Sequence, residues 1–155
     1  MKTHIILHHS LTKDSGSVSW DAIQRYHTDT LGWDDIGYHF GIERIGDAIH
    51  CLTGRPLEFV GAHCREQQMN IFGIGVCFVG NFDEDLPDTG ALEQGKKLCA
   101  SLCMILNIPV ANILGHRECK PSKTCPGILF NLDEFRNGTS EMLTGKKYEH
   151  LKWKA

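Results

Sequence analysis

Ile71-Phe72-Gly73-Ile74-Gly75-Val76-Cys77-Phe78-Val79 is apolar from end to end. A run of this length without polar alternation reads as a strand covered on both faces, as in the middle of a parallel or mixed sheet. Gly73, Gly75 and Cys77 share one face of it and leave room there for a closely packed neighbour. Upstream, Thr3 to Leu7 is short, β-branched and apolar, which predicts another strand. Leu11 to Ser19 is a polar loop, Ser19 is a good N-cap, and Trp20, Ile23, His27 and Leu31 recur at helical spacing up to Gly32. Tyr38 to Arg44 predicts a strand, Gly46-Asp47 a turn, and Ala48 to Leu52 the returning strand of a hairpin.

Downstream, Asp83 to Gly90 is an acidic, proline-containing loop. Leu92, Leu98, Cys99, Leu102, Ile105 and Leu106 form a helical stripe, the longest helix of the chain, stopped by Pro109. Val110 to Leu114 predicts a further strand and Leu132 to Arg136 a short helix. The pattern is α/β, a mixed central β-sheet flanked by helices in a single domain. The domain is expected to occupy residues 1–137, with a polar, lysine-rich tail over 138–155.

With 155 residues, the chain has the length of one domain. It is 41% hydrophobic and 23% charged, ordinary values for a folded soluble chain. The net charge of −3 supplies no basic field for nucleic acid, so no nucleic-acid partner is expected. No stretch approaches the ~20 apolar residues of a membrane span, so no membrane partner is expected either. The apolar run Ile5 to Leu7 is too short for a signal-peptide core, which places synthesis and folding in the cytoplasm. The chain is expected to act as a monomer.

Nine His and seven Cys stand out against this background. An odd number of Cys in a reducing compartment predicts free thiols, and Cys77, Cys99 and Cys103 fit apolar patterns as small hydrophobes. There is no paired CxxC knuckle of the zinc-ribbon type. His4, His27, His50 and His150 have no evident partner and read as surface or helix-face residues. Three sites fall where strands end or loops begin: His8-His9 after the first strand, His116 after the late strand, and Cys125 in a Pro/Gly-rich loop. Two imidazoles and one thiolate with an open fourth position make a catalytic zinc set, in which zinc polarises a carbonyl and lowers the pKa of a water toward ~7. Cys119, close by in sequence, competes with Cys125. Spacing alone does not join His8 to His116, which lie 108 positions apart.

Five segments, in order, carry a resemblance: Ile5-Ile6-Leu7-His8-His9-Ser10, Gly32 to Phe40 with Tyr38-His39, Gly61-Ala62-His63, Gly73 to Gly80, and Gly115-His116-Arg117-Glu118 with Lys123-Thr124-Cys125-Pro126-Gly127. Over roughly residues 3–136 the chain resembles the zinc-dependent N-acetylmuramoyl-L-alanine amidases of the phage T7 lysozyme type and the animal peptidoglycan recognition proteins that share that fold. The resemblance implies a Zn2+ cofactor held by His8, His116 and Cys125, with His9 a neighbour. It implies that Lys123 and Tyr38 are catalytic: Lys123 stabilises an oxyanion, and Tyr38 positions or deprotonates a water, or steadies the intermediate. His39 and His63 match groove-lining, substrate-binding positions. The implied substrate is peptidoglycan or a soluble muropeptide, cut between N-acetylmuramic acid and L-alanine by a prophage endolysin, which reaches the wall on lysis, or by a wall-recycling enzyme. The interval from His116 to Cys125 is one residue longer than is usual in that family and leaves the Lys-x-Cys-Pro order intact. The alternative is a non-catalytic peptidoglycan-binding module of the same fold; such proteins have typically lost the zinc cysteine, which this chain keeps.

Overall fold

In a computed structural model, which describes residues 1–12 and 20–145, five strands form one mixed sheet. They are β1 (His4–His9), β2 (Phe40–Ile45), β3 (Ala48–Thr53), β4 (Gly73–Phe78) and β5 (Ile113–Gly115), in the order β3-β2-β4-β1-β5. β4, the apolar run, is the middle strand and buried along its whole length. It pairs in parallel with β1 and β2, β1 pairs in parallel with β5, and β2 and β3 form the expected antiparallel hairpin.

Period-2 alternation gives the sheet two different faces. Ile5 and Leu7 of β1 and Ile74, Val76 and Phe78 of β4 point into the main core. That core is closed by α3 (Thr89–Leu106) and α5 (Leu132–Leu143), and four phenylalanines, Phe78, Phe82, Phe130 and Phe135, meet in it with ring centroids 5.3–6.5 Å apart. A Cβ on Gly95 would come within 3 Å of the Phe78 ring, so the glycine is what lets α3 cross over that side chain. The other face carries smaller packing groups: Ile6 with Cys64, Met69 and Cys119, and Cys77 with Trp20 and Ile36. On this thinner face His8 points out of the sheet.

Several elements differ from their sequence readings. The middle strand begins only at Gly73, because Ile71 and Phe72, both exposed, close a short helix α2 (Met69–Phe72), and β2 begins at Phe40, after Tyr38. The first helix is a short α1 (Trp20–Arg25) followed by a π-helical turn, Tyr26–Thr30. In that turn His27 is buried and its Nδ1 accepts the Gly37 N–H at 3.1 Å, so it is neither a surface nor a partnerless residue. β5 begins three residues late because Pro109 leads into a 3-10 turn, Val110–Asn112. The final helix continues past Arg136 to Leu143, since Thr139 and Met142 extend its buried stripe; the Thr139 hydroxyl donates to the Phe135 carbonyl at 2.8 Å. Residues 138–143 are thus part of the packed body. The Ser19 cap and the lysines of the expected tail beyond residue 145 lie outside the described residues. Among the described residues no helix is long and apolar enough to cross a membrane.

Phe78 is fully buried and touches three of the other aromatic rings. Phe78→Ala is expected to cost about 3–5 kcal/mol of stability, read as a lowered urea midpoint.

Candidate metal centre

The sheet itself solves the problem of joining His8 to His116. β1 and β5 are parallel neighbours with Leu7 opposite Gly115, so the next residues, His8 still in β1 and His116 just past the end of β5, stand side by side. Their ring centroids are 4.9 Å apart. His116 opens the four-residue α4 (His116–Cys119), whose preceding Gly115 N–H donates to the Glu118 carboxylate at 2.8 Å.

Cys125 reaches the pair because its loop is tied down at several points. The Arg117 N–H donates to the Cys125 carbonyl at 2.7 Å, and the Arg117 guanidinium donates to the carbonyls of Thr124, Gly127 and Phe130. From the other side the Asp83 carboxylate accepts from the Thr124 hydroxyl at 2.7 Å and from the Ile128 N–H at 2.8 Å. Cys125 Sγ then lies 3.5 Å from His8 Nδ1. One donor atom from each of His8, His116 and Cys125 lies within 4.8 Å of the others.

These residues fit a tetrahedral metal ion. Bonds of about 2.0–2.3 Å to N and S imply donor–donor edges of about 3.3–3.8 Å, and the Cys125–His8 separation falls inside that range. His8 is buried; desolvation first, then the neighbouring His63 and His116, hold its pKa well below the usual histidine value, so the ring is neutral as a ligand must be. Burial raises the Cys125 thiol to about 11, while the nearby Lys123 pulls the other way. A bound cation overcomes that burial effect by stabilising the thiolate directly.

The second nitrogen of His8 is also engaged. Its Nε2 lies 3.1 Å from His63 Nδ1. The His63 ring fills the space over Gly61, Gly73 and Gly75, where a Cβ on Gly75 would stand 2.6 Å from it. His63 is buried and its pKa is pushed down to about 3 by desolvation, then by His39 and Lys2. His9, one residue along β1, points to the opposite face, where its Nδ1 accepts the Phe82 N–H at 3.2 Å.

An open groove of about 550 Å³ reaches the group at His116. His63, His116 and Lys123 line it together with Trp33, Arg55, Glu66, Asn70 and Lys120. Tyr38 stands on the other side of His8, at 5.2 Å between ring centroids, and faces a separate cavity of about 450 Å³. Burial, then Cys77 and Cys125, raise the Tyr38 phenol well above its ordinary value, so it is a neutral donor at physiological pH. His39 is not brought to the groove. It is buried, its Nδ1 accepts the Gly75 N–H at 2.9 Å, and desolvation followed by Lys2 lowers its pKa to about 4.

Sequence reasoning missed Arg117, Asp83 and Glu66 as parts of the site. Arg117 had a signal, its place directly after His116, but its work on the loop backbone leaves no local pattern. Glu66 sits in a 3-10 turn, Glu66–Gln68, with Oε2 3.4 Å from His116 Nε2 and Oε1 2.8 Å from Lys120 Nζ. The Lys120 ammonium is the main reason its pKa falls to about 2.

Residues 2–128 match the N-acetylmuramoyl-L-alanine amidase family. An N-acetylmuramoyl-L-alanine amidase of Sus scrofa is 39% identical over 115 residues, which are 72% of this chain and 18% of that protein. The chain thus spans about a fifth of the length of the mammalian relatives it matches. Among solved structures, N-acetylmuramoyl-L-alanine amidase LysC from Clostridium intestinale superposes with a TM-score of 0.77 at 26% identity, over 90% of this chain and 85% of that one. A tyrosine-to-phenylalanine mutant of Drosophila PGRP-LB in complex with tracheal cytotoxin superposes with a TM-score of 0.67 at 31% identity, over 81% of this chain and 75% of that one.

The lowered pKa of His39 sets a pH dependence. In the unfolded chain the ring takes a proton near pH 6.5; in the folded chain it does so only near pH 4. Above the first value both forms are neutral, so its contribution to stability is lost as pH falls from about 6.5 toward about 4. His39→Asn, whose side-chain oxygen can accept from Gly75, is expected to flatten the fall in urea midpoint over that window.

Proposed function

The chain belongs to the N-acetylmuramoyl-L-alanine amidase family, and from that premise we propose that it is a zinc amidase. The proposed reaction is hydrolysis of the amide between N-acetylmuramic acid and L-alanine in peptidoglycan or soluble muropeptides. The observation that carries this reading is the convergence of one donor atom each from His8, His116 and Cys125 within 4.8 Å beside an open groove.

His8, His116 and Cys125 would hold Zn2+. Zinc, when bound, supplies Lewis-acid polarisation and a nucleophile active at neutral pH. The chain's own residues do the rest. His63, hydrogen-bonded to His8, fixes the direction of that ring and lines the groove that receives substrate. Lys123, an exposed cation on the groove wall, neutralises negative charge gathering on the scissile carbonyl oxygen. Tyr38, kept as a neutral phenol, acts as a hydrogen-bond donor rather than as a base. His39 supports the site from beneath through its bond to Gly75 and does not touch substrate.

The chain works as a monomer in this reading, in one of two settings. An endolysin, bacteriolytic and of prophage origin, opens the intact wall; a recycling enzyme trims soluble fragments. Digestion of intact sacculi against soluble muropeptides separates the two. Mass spectrometry of the products tests the reaction itself. Free stem peptides with N-terminal L-alanine are expected; products cut between sugars or within the peptide would contradict the reading. Lys123→Ala is expected to lower turnover about 10²–10³-fold with zinc retained. Cys125→Ser should abolish turnover and weaken zinc binding at this site, and metal-free protein should be inactive until zinc is restored.

A further inference from the structure

A second set of donors converges on His116. Cys64 Sγ lies 3.7 Å from Glu66 Oε2, and Glu66 Oε2 lies 3.4 Å from His116 Nε2. One donor atom from each of the three is within 4.8 Å of the other two. Both measured separations match the edges of about 3.3–3.8 Å expected for a tetrahedral site with bonds of about 2.0–2.3 Å.

We propose that Cys64, Glu66 and His116 form a second site for a soft divalent cation, a zinc-class ion, separate from the His8–His116–Cys125 group and sharing one imidazole with it.

Three features shape this site. The Asn70 side-chain carbonyl accepts the N–H groups of both His63 and Cys64 at 2.7 Å, which fixes the backbone that presents the sulfur. The Cys64 thiol also meets the sulfur of Cys119, one helical turn after His116 in α4; this contact, then burial, holds the Cys64 proton on, so a cation must displace it to bind. The Glu66 carboxylate is divided between two tasks: Lys120 takes Oε1 at 2.8 Å, and Oε2 is left facing the sulfur and the ring. Lys120 accounts for Oε1, while the Cys64 thiol and the His116 imidazole both hydrogen-bond Oε2, so the three donor atoms are already gathered where an ion would replace the shared protons. The groove that holds Cys64, Glu66 and His116 in its wall gives an ion a path in.

The donor set decides the class of ion. A thiolate and an imidazole with one carboxylate oxygen suit zinc or cadmium and disfavour magnesium or calcium, which take oxygen ligands. Binding releases the Cys64 thiol proton, so uptake weakens as pH falls. Holding both ions at once requires His116 to bridge them as an imidazolate, one ring nitrogen to each, so the second ion displaces the His116 ring proton as well as the Cys64 thiol proton; this alters a ligand of the first site, and its occupancy is inhibitory.

Cadmium titration of metal-free protein, read by the ultraviolet thiolate-to-cadmium band and by metal content after dialysis, tests this. Wild type should retain two equivalents, Cys64→Ala one and Cys125→Ser one. Glu66→Gln, which changes a partly exposed carboxylate, covers the case in which Cys64→Ala fails to fold; it should weaken uptake of the second equivalent at least tenfold. Wild-type protein that stops at one equivalent, or a Cys64→Ala protein that still takes two, overturns the proposal. These readouts need no turnover, so a failure of the amidase reading leaves them intact. If turnover is present, zinc beyond one equivalent should lower it in wild type and spare Cys64→Ala. Equal inhibition of the two proteins overturns the inhibitory role.

Discussion

The parallel ladder β4-β1-β5 is the constraint on which the site depends. Parallel strands end on the same side of a sheet, so residues far apart in the chain emerge together there. β1 is hydrogen-bonded on both sides, to β4 along its whole length and to β5 over Ile5, Ile6 and Leu7. A slip of one residue would turn Ile6 and His8 into the phenylalanine core and Leu7 out of it. The burial of Ile5 and Leu7 therefore fixes the direction of His8 as firmly as any contact that the imidazole itself makes.

Much of this was legible in the sequence. The run from Ile71 to Val79 identified the middle strand, and the small residues on one face of it marked where something had to pack closely. What packs there is His63, which no local pattern could reveal, because its partners lie on β1 and β4. The choice between His8 and His9 was open on alternation alone. The structure shows Leu7 facing the helices, which sends His8 the other way, toward Cys125, and His9 toward Phe82. The residues that escaped reading act through backbone or through partners distant in sequence. Arg117 works on carbonyls of the Cys125 loop, Asp83 reaches across 41 positions to Thr124, and Glu66 reaches across 50 to His116. His39 was placed by resemblance rather than by its surroundings, and its inward hydrogen bond to Gly75 is a tertiary fact.

The electrostatics of the site work against its charged forms. Burial keeps His8 and His63 neutral and holds the Cys125 proton on at physiological pH. In the proposed centre a neutral imidazole would ligate at no protonation cost, whereas the thiol would have to lose a proton in a partly dry setting. Lys123 helps from the groove side, and the Arg117 guanidinium, spent on three carbonyls, adds positive charge on the loop side. The cations around Cys125 thus serve both the loop geometry and the ionisation of its sulfur.

The three glycines under His63 connect the packing to the chemistry. Gly61, Gly73 and Gly75 have no side chains, and the His63 ring occupies the resulting hollow. From that position its Nδ1 meets His8 Nε2, which leaves His8 Nδ1 directed at Cys125. A side chain at Gly75 would push the His63 ring away, and the ring of His8 would lose the partner that sets its orientation. The reason that β4 carries glycine where a buried strand would ordinarily carry valine or isoleucine is therefore found in the donor geometry of His8, on the face of the sheet opposite the helices that give it its stability.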